Sequence, residues 1–104
     1  QAAVYQAASR LIQSGRRKLL YVYTSTSYSG INKLQGFKNA LADAGISESP
    51  EYIRQCAKDI TAARELFLSL RKEGLEFDAV ITSDDSLASS DTITRFYPSV
   101  PIRS

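Results

Sequence analysis

A chain of 104 residues amounts to one domain or a piece of one, and 43% hydrophobic with 23% charged residues is the composition of a soluble globular protein. No apolar stretch approaches the ~20 residues that a membrane span needs, and a formal charge of +2 is too slight to imply a nucleic-acid surface. With no histidine and one cysteine, Cys56, the chain can form no internal disulfide and cannot assemble the usual zinc or iron–sulfur ligand sets, and its cysteine usage fits a reducing compartment.

The chain opens on Gln1-Ala-Ala-Val-Tyr5 without an initiator Met and without the basic-then-apolar profile of an export signal, so a longer natural N-terminus is expected upstream. Val4, Ala7, Ala8, Leu11 and Ile12 have the spacing of a one-sided amphipathic helix, which Gly15 can end. The basic run Arg16-Arg17-Lys18 then stands either at the negative end of that helix dipole or as a phosphate contact. Leu19 to Tyr23 is an apolar strand that breaks off into the small polar residues Thr24 to Ser29. A second helix carries Leu34, Phe37, Leu41 and Ala44 on one face, with Ser29 or Gly30 near its start and Gly45-Ile46 at its stop.

Pro50-Glu-Tyr52-Ile53 reads as a short strand, and Arg54 to Asp59 as a polar bridge. A third helix carries Ala63, Leu66, Phe67 and Leu70, with Thr61 as N-cap and Gly74-Leu75 at its stop. All three helices therefore end in Leu-x-x-x-Gly. Phe77 to Ile81 is another strand, again followed by small polar residues, Thr82 to Asp85. A fourth helix is expected from Asp85 or Ser86 through Leu87, Ala88 and Ile93, short or frayed because its Ser, Thr and Asp residues are poor helix formers. Pro98 and Pro101 limit the last residues to an edge strand or an extended tail. This alternation predicts an α/β fold, a three-layer α/β/α arrangement with a short, mostly parallel sheet of three or four strands and right-handed crossovers.

In open parallel sheets ligands sit at the carboxyl ends of the strands, which marks the two polar loops. Thr24 to Gly30 offers hydroxyls and backbone N–H groups at a helix N-terminus. It can be a solvated turn with a Ser cap, a polyol or sugar site, or a phosphate site. Tyr28 can lay its ring against a ligand or simply pack. Asp84 and Asp85, being adjacent, point to opposite sides of an extended segment, so one is an N-cap and the other reaches the cleft. Without histidine no Ser-His or Cys-His pair can be built, and no catalysis is expected.

Three segments together resemble the effector-binding core of the LacI/GalR family of bacterial transcription regulators. They are Ala7 to Gly15 with Lys18 to Val22, Lys33 to Leu41 continuing through Ala44-Gly45-Ile46, and Phe77 to Ala88, in matching order over roughly residues 1–90. The resemblance implies a periplasmic-binding-protein-like type I fold, of which residues 1–104 form a single partial domain, one incomplete C-terminal lobe, with residues 89–104 as a divergent tail. It also implies ligand-binding roles for Ser27, Ser29, Lys33 and Asp84, to which the loop's own reading adds Tyr28; Lys33 stands where the family often has arginine, three residues before the Gly-Phe pair.

The implied function is that of a cytoplasmic regulator responding to a sugar or related metabolite. Such a regulator is expected to act as a homodimer, to reach operator DNA through an N-terminal domain outside this chain, and to need no cofactor, metal or membrane. Two rivals keep a similar fold: an exported sugar-binding protein of a transporter, and a flavodoxin-like protein whose Ser/Thr loop would cradle a flavin phosphate.

Overall fold

Helix α1 (Ala2–Gln13), strand β1 (Leu19–Tyr23), helix α2 (Tyr28–Asp43), a 3-10 turn (Pro50–Tyr52), strand β2 (Ile53–Gln55), helix α3 (Ile60–Glu73), strand β3 (Ala79–Thr82) and strand β4 (Ile102–Arg103) follow one another along the chain. The computed structural model describes residues 2–24, 28–57, 59–83, 95, 97 and 99–103, at 2, 28–31 and 60 the backbone alone. The four strands form one sheet in the order β2-β1-β3-β4, and every pairing is parallel. Leu19 pairs with Ala79 and Val22 with Thr82, so β1 and β3 are the central strands.

Strand alternation divides the core between two faces. Leu19, Tyr21, Ala79 and Ile81 meet Val4, Ala8, Leu11 and Ile12 of α1 and Phe37, Ala40 and Leu41 of α2. Leu20, Val22 and Val80 meet Ala63, Phe67 and Leu70 of α3 on the other side. Burial on both faces explains why β1 and β3 read as continuous apolar runs. A Tyr5 hydroxyl donating to the Asp43 carboxylate joins the two helices on the first face.

The shared Leu-x-x-x-Gly endings become three similar caps. The carbonyls of Leu11, Leu41 and Leu70 accept from the backbone N–H groups of Arg16 (3.2 Å), Ile46 (2.9 Å) and Leu75 (3.2 Å), the six-to-one bond of a Schellman motif. Gly15 and Gly74 take φ of 103° and 74°, a region where a Cβ is strained.

The basic run is structural. Arg17 Nη1 donates to the Ile12 carbonyl at the end of α1 (3.0 Å), and Arg16 Nε to the Asp78 carbonyl (3.2 Å). The Asp78 carboxylate in turn accepts the backbone N–H groups of Arg17 and Lys18, each at 3.1 Å, which locks the entry of β1 to that of β3.

Several boundaries differ from those the sequence suggests. Helix α2 already begins at Tyr28, so Tyr28, Ser29 and Gly30 are its first turn and not loop residues. Ala44 lies past the helix and is exposed, while Ala40 fills the core. Pro50-Glu-Tyr52 is a 3-10 turn, since proline presets its φ, and the strand starts three residues later, at Ile53, and runs into the expected bridge as far as Gln55. The N-cap of α3 is Asp59, whose carboxylate accepts the Thr61 N–H at 3.0 Å. The expected tail strand is present as edge strand β4, whereas the expected fourth helix falls outside the described residues. Among the described residues no helix is long and apolar enough to cross a membrane.

Candidate functional site

The carboxyl ends of β1 and β3 come together at Ser83. Its backbone N–H donates to the Val22 carbonyl (3.0 Å), extending the β1–β3 ladder by one bond. Its hydroxyl oxygen accepts the backbone N–H of Thr24 (3.1 Å), the first residue after β1. Its carbonyl accepts Nζ of Lys33 (3.0 Å), a half-buried side chain from the second turn of α2. One serine thus fastens the start of both polar loops and the opening turns of α2 to a single rim.

Lys33 reaches that rim because β1 delivers the chain to it and α2 leads back over the sheet. Gly36 and Phe37 sit at the helix–sheet contact, both buried, with the Phe37 ring 5.0 Å from that of Tyr21. Of the ligand candidates, Lys33 is therefore at the carboxyl end of the central strands. The backbones of Tyr28 and Ser29 open α2, so its first N–H groups belong to the same end of the sheet. Ser27 and Asp84 lie outside the described residues, the latter following Ser83 directly in sequence.

Two residues at this rim escape sequence reading. Ser83 is one polar residue among several in its loop, and only the strand register reveals its three-way role. Tyr21 reads as plain core, yet its buried hydroxyl lies beside the Ser83 side chain; burial pushes its pKa up to about 12, and a side-chain hydrogen bond with Ser83 opposes the shift. The phenol is hence a protonated donor at any physiological pH.

Two further hollows flank the amino ends of the strands. One of about 220 Å³ is lined by Leu19, Phe37, Leu41 and Ile46 with Arg17 and Tyr52 at its rim. The other, about 550 Å³, runs between α1 and β4 past Arg10, Arg16 and Arg103. Neither is lined by Lys33 or Ser83. Cys56 is buried and its thiol donates to the Ala57 carbonyl; burial raises its pKa, which suits packing more than reactivity. Among the described residues no group of three or more acidic or cysteine side chains could hold a metal ion.

A family model described as periplasmic binding proteins and sugar binding domain of the LacI family matches residues 1–94. An HTH-type transcriptional regulator of Lachnoclostridium phytofermentans is 44% identical over 86 residues, which are 83% of this chain and 26% of that protein. The HTH-type transcriptional regulator GalR of Escherichia coli is 30% identical over 83 residues, 79% of this chain and 24% of that one. The chain thus spans about a quarter of the length of these curated relatives. In structure it is similar to a sugar-binding transcriptional regulator of the LacI family from Escherichia coli solved with phosphate, at a TM-score of 0.84 and 23% identity over 96% of this chain and 38% of that chain.

Proposed function

The chain belongs to the family of periplasmic binding proteins and LacI-type sugar-binding domains, and from that premise we propose that it is the C-terminal effector-binding lobe of a bacterial transcriptional regulator responding to a sugar or related small metabolite. The observation that carries this reading is the junction at Ser83, where Lys33 and the ends of β1 and β3 meet. A cation, the residues that directly follow β1 and β3, Thr24 and Ser83, and the N-terminal turn of α2 share one end of the sheet, the usual place for a ligand in this architecture.

Ser27, Ser29, Lys33, Asp84 and Tyr28 contribute the polar and aromatic contacts, and a second lobe outside this chain supplies the opposite wall. Effector seated between the lobes favours their closed arrangement, which biases a homodimer between states that do and do not bind operator DNA. The DNA contact belongs to a helix-turn-helix elsewhere in the protein. The role is one of binding in the cytoplasm and not of catalysis. A regulator is favoured over an exported solute-binding protein because the curated relatives are named as HTH-type regulators, and over a flavodoxin-like protein because the family match covers residues 1–94.

Titration calorimetry of the full-length protein with a panel of neutral sugars and nucleosides tests the assignment. At least one panel member is expected to bind, and Lys33→Ala, Ser27→Ala and Asp84→Asn are each expected to weaken it by about tenfold, the loss of one charge-assisted or buried hydrogen bond. Unchanged affinity in all three variants removes the site.

A further inference from the structure

The apolar row that β1 and β3 lay against α1 ends at β4 in a charge. Leu19, Tyr21, Ala79 and Ile81 make that face of the sheet. Arg103 is the parallel register partner of Ile81 and stands on the same side, while its neighbour Ile102 packs with the opposite face. Across from it, α1 presents Ala3, Ala7 and Ser14, and side chains this small leave a hollow of about 550 Å³, within the size range of small-molecule sites. Arg10 of α1, Arg16 of the segment after it and Arg103 all line the hollow, and among the described residues no acidic side chain does. Helix capping does not account for this cluster, because the Ile12 and Leu11 carbonyls already accept from Arg17 Nη1 and the Ser14 hydroxyl. Arg16 is held by two neutral oxygens, Nε on the Asp78 carbonyl and Nη1 on the Ser14 hydroxyl (2.8 Å), and Arg103 Nη1 donates to the Ile102 carbonyl. Among the described residues none of the three forms an ion pair.

We propose that the hollow between α1 and β4 is a second small-molecule site, separate from the effector site, and that it takes the phosphate group of a phosphorylated metabolite. Guanidinium groups offer paired N–H donors that match the oxygens of a phosphate two at a time, and a dianion meets three positive charges there with no carboxylate in competition. Arg16 is fixed by its two hydrogen bonds, which leave Nη2 to a ligand. Arg10 and Arg103, both exposed, come from the helix and the strand on either side of it. The uncharged part of the metabolite lies along Ala3, Ala7 and Pro101. Lys33 and Ser83 do not line this hollow, so the site goes beyond the effector reading and does not depend on it.

The test uses the full-length protein at fixed ionic strength, with glycerol phosphate, inorganic phosphate, acetate and glycerol as probes, read by titration calorimetry and phosphorus NMR line broadening. Glycerol phosphate is expected to bind saturably and more tightly than inorganic phosphate or acetate, and glycerol not to bind. Arg10→Gln and Arg103→Gln, at exposed positions, are each expected to weaken glycerol phosphate by about tenfold, the loss of one charge-assisted contact, and to melt where wild type melts; Lys33→Ala is expected to leave that binding unchanged. Binding that both arginine variants keep overturns the proposal, and if Lys33→Ala alone abolishes it the phosphate sits in the effector site. A lowered melting temperature in the arginine variants marks a structural role and also overturns it. So does acetate bound as tightly as glycerol phosphate, a response that sodium chloride reproduces, which is charge screening, or no saturable binding at all, which means that another part of the protein covers the hollow.

Discussion

At the level of single residues, Ser83 and Phe37 divide the work of building the site. Ser83 joins three segments through its N–H, hydroxyl oxygen and carbonyl, and Phe37 sets the helix that carries Lys33 against β1. Phe37 is 0% exposed, so Phe37→Ala is expected to destabilise the fold by about 3–5 kcal/mol, as large-to-small changes in tight cores do; a urea denaturation midpoint near the wild-type value would show that the site can relax around the loss. Lys33 was singled out through the family resemblance alone, at the position three residues before the Gly-Phe pair where the family often has arginine. Ser83 was not legible, because its bonds arise from the pairing of residues 19–22 with residues 79–82, a register that no local pattern encodes.

The elements were easier to read where a periodic face coincided with a strong stop. Leu11, Leu41 and Leu70 each precede a glycine by four residues, and each became the acceptor of a cap. Starts were harder. The Ser/Thr run ahead of α2 offers many residues able to cap, and Thr61 competes as a cap with Asp59, whose carboxylate is the stronger acceptor. Strand β2 was displaced because Tyr52 and Ile53 look alike as β formers, while Pro50 pulls the first into a 3-10 turn.

A bidentate pair then ties β2 to the end of α3, Arg54 Nη2 to Glu73 Oε1 at 2.7 Å and Nη1 to Oε2 at 3.1 Å. The Arg54 guanidinium holds the Glu73 carboxyl below its usual range. A carboxyl depressed in the folded state stabilises above its unfolded value of about 4.3 and loses that contribution as pH falls through the folded one. The stability difference between wild type and Glu73→Gln is accordingly expected to shrink between pH 6 and pH 3 in urea titrations; a constant difference would mean that the pair contributes through packing alone.

Taken as a whole, the described residues form a sheet covered on both faces and unpaired along both edges. The parallel α/β layering was legible because two buried strands alternate with amphipathic helices, and parallel strands must be joined by crossovers. Strand order was not, since β1 lies between β2 and β3 for reasons of long-range packing. Among the described strands, β2 and β4 each have one unpaired side, and such edges invite pairing with another chain. Light scattering on the 104-residue chain is expected to give a dimer or larger species; a monomer at high concentration would show that the edges are protected.

That β1 is flanked by strands that both come later carries a cost during synthesis. When α1, β1 and α2 have left the ribosome, Leu20 and Val22 have no α3 to cover them, and the amides of β1 have no ladder to join. Contacts of such long separation form slowly and leave nascent apolar surface exposed in the meantime. The Asp78 clamp on Arg17 and Lys18, spanning 61 and 60 residues, is one of the bonds that close this gap. Until it forms, the apolar face of β1 stays open to water and to other chains.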